Sequence, residues 1–106
     1  MKPAEIDIDI HGIDPEDFKK YELVDVREDE ETQEWPAQAE HLCMPCSGFP
    51  FNKEVLNKNK PYLIFCAKGG RSHRVAELLQ AQGYNAVSVN NGIASVNAYL
   101  EGLSQK

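Results

Sequence analysis

Four consecutive apolar residues, Tyr62-Leu63-Ile64-Phe65, run without a break into Cys66-Ala67-Lys68-Gly69-Gly70-Arg71 and then into an amphipathic stretch, residues 72–82. A continuous apolar run of this length suits a strand covered on both faces. The two glycines let the chain turn, and the stretch after them predicts a helix. A strand, a short loop and a helix in that order constrain the fold to a sheet whose neighbouring strands run parallel. The cysteine ends the strand, where loop N–H groups and the positive end of a helix dipole converge. That setting favours the thiolate, the nucleophilic form of cysteine. Cys66 is therefore the candidate reactive residue. A buried, inert cysteine is the ordinary alternative at the end of an apolar strand.

The rest of the chain repeats the alternation. Residues 4–10 alternate apolar and acidic side chains and predict a half-exposed strand. Asp14-Pro15 reads as an N-cap followed by proline at the first helical position, opening a short helix to about residue 20. Residues 21–26 predict a second strand. The acidic run 29–34 predicts an exposed short helix or loop, residues 42–44 a brief strand stopped by Pro45, and residues 52–59 a short helix limited by Pro61. In the best helix Val75, Leu78, Leu79 and Gln82 share a face, with Gly83 as terminator. A last strand over 86–89, a turn at Asn90-Asn91-Gly92 and a helix over 93–100, ending near Gly102, complete the pattern. The ligand site of such a sheet lies beyond the carboxyl ends of its strands. Cys66 falls at one such end and Asp25-Val26-Arg27 at another.

The 106 residues are enough for one domain with its own core. A formal net charge of −6 disfavours a nucleic-acid or membrane-surface binder. No apolar stretch is long enough to span a bilayer, and the start lacks a signal-peptide core, so a cytoplasmic location is expected. Charge is uneven: residues 1–53 hold 14 acids and 5 bases, residues 54–106 hold 3 acids and 6 bases. Lys68, Arg71 and Arg74 thus predict a positive potential near Cys66. Three cysteines, an odd number, speak against a disulfide framework. Cys43 and Cys46 with His41 form only half of a zinc site, and no metal is expected. Cys46 also carries an alternative reading, as a thiol that receives sulfur from Cys66 or resolves its persulfide as a disulfide. Trp35 beside Pro36 reads as a loop anchor rather than a substrate platform. Ser72 reads as a helix-start hydroxyl.

The fragments Leu23-Val24-Asp25-Val26-Arg27-Glu28, then Ile64-Phe65-Cys66-Ala67-Lys68-Gly69-Gly70-Arg71-Ser72, then residues 76–84 and 89–93, occur in an order and spacing that resembles a single-domain rhodanese, a sulfurtransferase of the rhodanese homology family. The resemblance covers about residues 4–101. It departs from the family between Arg27 and Pro45, where the usual glycine–histidine pair is missing. It implies a rhodanese-like α/β fold, a largely parallel five-stranded sheet with helices on both faces, over residues 1–106. It also implies transfer of sulfane sulfur from a donor such as thiosulfate to a thiophilic acceptor, through a persulfide on Cys66. Ala67, Lys68, Gly69, Gly70, Arg71 and Ser72 would bind substrate, with Asp25 and Arg27 in support. Asp25 and Arg27 have a structural reading, as an ion pair beneath the site, and a functional one, with Arg27 facing the donor.

The implied partners are a small anionic donor and a thiol or cyanide acceptor, with a protein thiol as a further acceptor. No cofactor is implied. Two other readings stand beside this one. The first is a non-enzymatic persulfide carrier or rhodanese-like interaction module. The second is a cysteine phosphatase or arsenate reductase, which the Cys66-x4-Arg71 spacing disfavours because its loop is one residue shorter than the C-x5-R cradle of cysteine phosphatases.

Overall fold

The apolar run becomes a strand at the centre of the sheet, with residues 62–65 all buried. The computed structural model describes residues 5–49 and 54–104. Five strands, β1 (Asp7–Ile8), β2 (Glu22–Asp25), β3 (Leu42–Cys43), β4 (Pro61–Phe65) and β5 (Asn85–Val89), form one sheet in the order β1-β5-β4-β2-β3. Every pairing is parallel. Four helices, α1 (Pro15–Phe18), α2 (Asp29–Glu34), α3 (Gly70–Ala81) and α4 (Gly92–Ser104), connect or follow the strands. The α/β architecture expected from the alternation is the one observed.

Alternation along β4 divides the core. Tyr62, Ile64 and Cys66 face one cluster with Val75, Ala76 and Leu79 of α3. Leu63 and Phe65 face the other with Ile93, Val96 and Tyr99 of α4. Burying a leucine such as Leu79 contributes about 1.5–3 kcal/mol, so each helix is held mainly by its stripe. The buried stripe of α3 is Ser72, Val75, Ala76 and Leu79, rather than the predicted face through Leu78 and Gln82. Its end is a Schellman motif. Gly83 adopts φ +92°, Tyr84 N–H donates to Leu79 O and Gly83 N–H to Gln80 O, both at 3.0 Å.

Three boundaries differ from the sequence reading. The first strand is two residues long, because Asp9 accepts the His11 N–H at 3.0 Å and starts a 3-10 turn over Ile10–Gly12; residue 4 of the expected strand lies outside the described residues. The helix expected over 52–59 is absent where it is described. Residues 54–55 form a 3-10 turn, and beyond it Asn57 accepts the Asn59 N–H at 2.8 Å while Tyr62 Oη accepts the Asn57 N–H at 2.6 Å. Side-chain bonds of this kind compete with a helix; residues 52–53 lie outside the described set. Helix α4 continues through Gly102, since Leu103 still packs on the second core cluster.

Candidate active site

Cys66 directly follows β4 and is 1% exposed, yet it does not sit among apolar groups alone. The Gly69 N–H donates to its Sγ at 3.0 Å and the Ser72 N–H at 3.4 Å. Both can reach because Gly69, the N-cap of α3, adopts φ +112°, a backbone state that side chains disfavour. Ser72 is the third residue of α3 rather than its cap. Its hydroxyl lies 3.4 Å from Sγ, 3.2 Å from Gly69 O and 2.7 Å from Ser88 Oγ on β5. With the thiol deprotonated, Ser88 can donate to Ser72 and Ser72 to the sulfur.

These contacts set the acidity of Cys66. Burial pushes the thiol up. The Ser72 hydroxyl, then the N–H groups of Ser72, Gly69 and Lys68, pull it down further, and the net direction is down. The strand end is also clamped from behind. Ile93 N–H donates to Cys66 O at 2.9 Å, and a Cβ on Gly92 (φ +58°) would collide with the carbonyl oxygens of Cys66 and Ala67. Only glycine fits there.

The charged residues do not all converge as the sequence suggested. Arg71 is bound by both oxygens of Glu31, at 2.6 and 2.7 Å, across 40 residues of chain. That pairing holds the Glu31 carboxyl down at about 2. Arg74 pairs with Glu77. Of the three cations near Cys66, Lys68 is exposed and has no ion pair among the described residues. Arg27 is 2% exposed and grips Asp25 through Nε (3.0 Å) and Nη2 (2.8 Å); Asp25 also accepts from Arg27 N–H and Thr32 Oγ1. This is the arrangement of the ion-pair reading. His73 meets Asp7 of β1 at 2.7 Å.

Sequence reasoning missed Glu31 and Ser88. Glu31 was hidden in an acidic run; Ser88 carried a signal, a lone hydroxyl in the apolar run Ala86-Val87-Ser88-Val89. Trp35 is not the anchor of its loop. It is half exposed, and the buried amide of Asn97 does the anchoring by accepting from Gln38 N–H (2.9 Å) and donating to Pro36 O (3.1 Å). Among the described residues no group of three His, Cys, Asp or Glu is placed to hold a metal ion. No helix among them is long and apolar enough to cross a membrane.

The chain that builds this site, a cysteine at a strand end held by two backbone N–H groups, is similar to known proteins. The Rhodanese-like domain family matches residues 13–99. The chain belongs to that family. A Bacillus subtilis protein named "Putative sulfurtransferase YtwF" is 42% identical over 72 residues, 67% of this chain and 68% of that protein. A rhodanese-related protein from Thermoplasma volcanium superposes with a TM-score of 0.70 at 32% identity, covering 82% of this chain and 83% of the other. A rhodanese-like domain protein from Staphylococcus aureus gives 0.67 at 33% identity over 90% of both chains. Family and relative together support sulfurtransferase activity for this rhodanese-like chain.

Proposed function

We propose that the protein moves sulfane sulfur by a two-step exchange on Cys66. The Cys66 thiolate attacks the outer sulfur of thiosulfate, the S–S bond of the donor breaks, and sulfite leaves with the electron pair. A persulfide anion remains on Cys66. A cyanide ion or a thiolate then attacks the outer sulfur, and Cys66 leaves as the thiolate it was at the start. Sulfur suits both roles, since the attacking atom of the first step is the leaving atom of the second. The observation that carries this reading is the pair of N–H groups, Gly69 and Ser72, that donate to Sγ.

The first-turn amides of α3 have no acceptor within the helix, and they favour negative charge at its N-terminus. They suit an anion that grows outward by one sulfur. Lys68, exposed and unpaired among the described residues, supports attraction of the anionic donor. Arg71, tied to Glu31, shapes the wall more than it adds net charge. The test is thiosulfate treatment followed by intact-mass measurement. Wild type gains one sulfur atom, released by cyanide as thiocyanate, and Cys66→Ser gains none. Uptake by Cys66→Ser equal to wild type overturns the assignment.

A further inference from the structure

A cavity of about 230 Å³ opens beside the first two residues of the cysteine loop, Ala67 and Lys68, and runs to the C-terminal end of α2. Its apolar lining is the half-exposed indole of Trp35 with Ala67 and Ile93. Four charged side chains border it, and two of them are neutralised. Arg27 is paired with Asp25, and Glu31 with Arg71. Glu34 and Lys68 remain, both exposed, with no ion pair or hydrogen bond to either side chain among the described residues. The cavity therefore presents one unspent negative charge, one unspent positive charge and an aromatic surface. Its volume lies below the range of pockets that hold drug-sized ligands.

From this we infer that the cavity is a binding site for a small zwitterionic thiol, an amino acid bearing a sulfhydryl, which acts as the sulfur acceptor. Its ammonium group meets Glu34 and the face of Trp35, where cation–π attraction adds to the ion pair. Its carboxylate meets Lys68. Its thiol lies toward the loop that carries Cys66. The bound thiol, as thiolate, attacks the outer sulfur of the Cys66 persulfide. The S–S bond to Cys66 breaks, Cys66 departs as thiolate, and the acceptor leaves as its own persulfide anion. The acceptor role rests on the sulfur-transfer reading, whereas occupancy of the cavity does not.

Trp35 is the single tryptophan of the chain, so its emission reports the cavity directly. The probe is S-methyl-L-cysteine, which keeps both charges and cannot react. It is compared with 3-(methylthio)propionate, which lacks the ammonium, and 2-(methylthio)ethylamine, which lacks the carboxylate. The expected result is a saturable emission change for the zwitterion, with each single-charge analogue at least tenfold weaker. Glu34→Gln should weaken the zwitterion at least fivefold and leave 3-(methylthio)propionate unchanged. No saturable change, equal binding of the three probes, or an undiminished affinity in Glu34→Gln overturns the site. In a second arm, sulfur-loaded protein is discharged by L-cysteine, 2-mercaptoethanol and 3-mercaptopropionate at equal thiolate concentration. L-cysteine should be at least fivefold faster than either; equal rates overturn the acceptor role. Zwitterion-selective binding in a protein whose Cys66 takes up no sulfur supports the site and defeats only the transfer chemistry.

Discussion

Two cysteines stand just past strand ends on the same edge of the sheet, and their surroundings drive them in opposite directions. Cys66 follows β4 and is the more buried, yet its thiol is pushed down. Cys46 follows β3, is partly exposed, and is pushed up, by burial first and then by the charges of Cys66 and Glu28 against the opposing pull of Arg71. The difference lies in where the amides go. After β3, Pro45 has no N–H, and the next four are spent: Cys46 on Val26 O, Ser47 on Glu28 Oε2, Gly48 on Pro45 O and Phe49 on Cys46 O. After β4, Gly69 and Ser72 spend theirs on sulfur. Exposure does not decide which cysteine is acidic. The hydrogen-bond accounting of the two loops does.

Strand β2 lies between the two ends, and its Asp25–Arg27 pair should support both. Asp25→Asn leaves a buried guanidinium without its counter-charge, a change that costs about 3–5 kcal/mol. Urea denaturation should show that drop, and Cys66 and Cys46 should both become more reactive toward a thiol reagent. Loosening of one loop alone would show that the pair supports only that loop. Next in size is Gly92→Ala, which adds a methyl group against the backbone of Cys66 and Ala67 in a left-handed conformation. The expected cost is about 3 kcal/mol, with sulfur loading lost. Gly83→Ala, at φ +92° with open space around its Cβ, should cost about 1 kcal/mol and leave loading intact. Equal costs for the two glycines would mean that the clamp behind Cys66 is not what holds its loop.

The β4–α3 end was legible in the sequence because everything that makes it is local. The apolar run, the cysteine, the glycines and the helix fall within about twenty consecutive residues. What was not legible is long-range. The Arg71–Glu31 pair joins residues forty apart, so a positive cluster read along the chain becomes, in the fold, one free cation among the described residues and two paired ones. The hydroxyl of Ser88 reaches Ser72 across a helix–strand contact that periodicity does not reveal. The connection that enters β3 misled for a different reason. Trp35-Pro36 looks like an anchor by composition, yet Asn97, on the last helix, supplies the anchoring hydrogen bonds. At Asn57 a side-chain turn overrode a helical pattern.

A smaller effect sharpens the contrast in acidity. Ser72→Ala removes the largest of the contacts that lower the Cys66 thiol. A hydrogen bond to a charged group contributes about 1.5–3 kcal/mol, so loading measured well below the midpoint should slow roughly tenfold or more. The pH profile should move to the alkaline side while Cys46 labels as before. The sign for stability follows from the same linkage. A thiol lowered by folding adds stability that is fully present above the ordinary thiol range near ~8.5, and that stability fades as pH falls through the lowered value. Ser72→Ala should flatten this dependence. An unmoved profile would assign the acidity to the amides alone. Ser88→Ala, which leaves the Ser72 contact in place, should move the profile in the same direction and less.

The smallest expected effect concerns the bridge that joins the two loops' surroundings, Glu31 with Arg71. Both side chains are more than a third exposed, so the pair contributes less than about 1 kcal/mol to stability. Gln at position 31 keeps an acceptor for the Glu28 N–H, which now donates to Glu31 Oε1 at 3.1 Å, so α2 should still start correctly. Glu31 is depressed to about 2 by its partner. Its contribution is therefore complete above the ordinary carboxyl value near ~4.3 and disappears as pH falls toward about 2. Wild type and Glu31→Gln should differ slightly in urea midpoint at pH 6 and converge at pH 2. The kinetic consequence should be the clearer one. Glu31→Gln frees the Arg71 guanidinium beside Cys66, and the KM for thiosulfate should fall a few-fold at low salt, with the gain erased at high ionic strength. A rise in KM would show instead that the pair positions the wall of the site, and that the quiet charge balance around Cys66 matters less than the shape Arg71 holds.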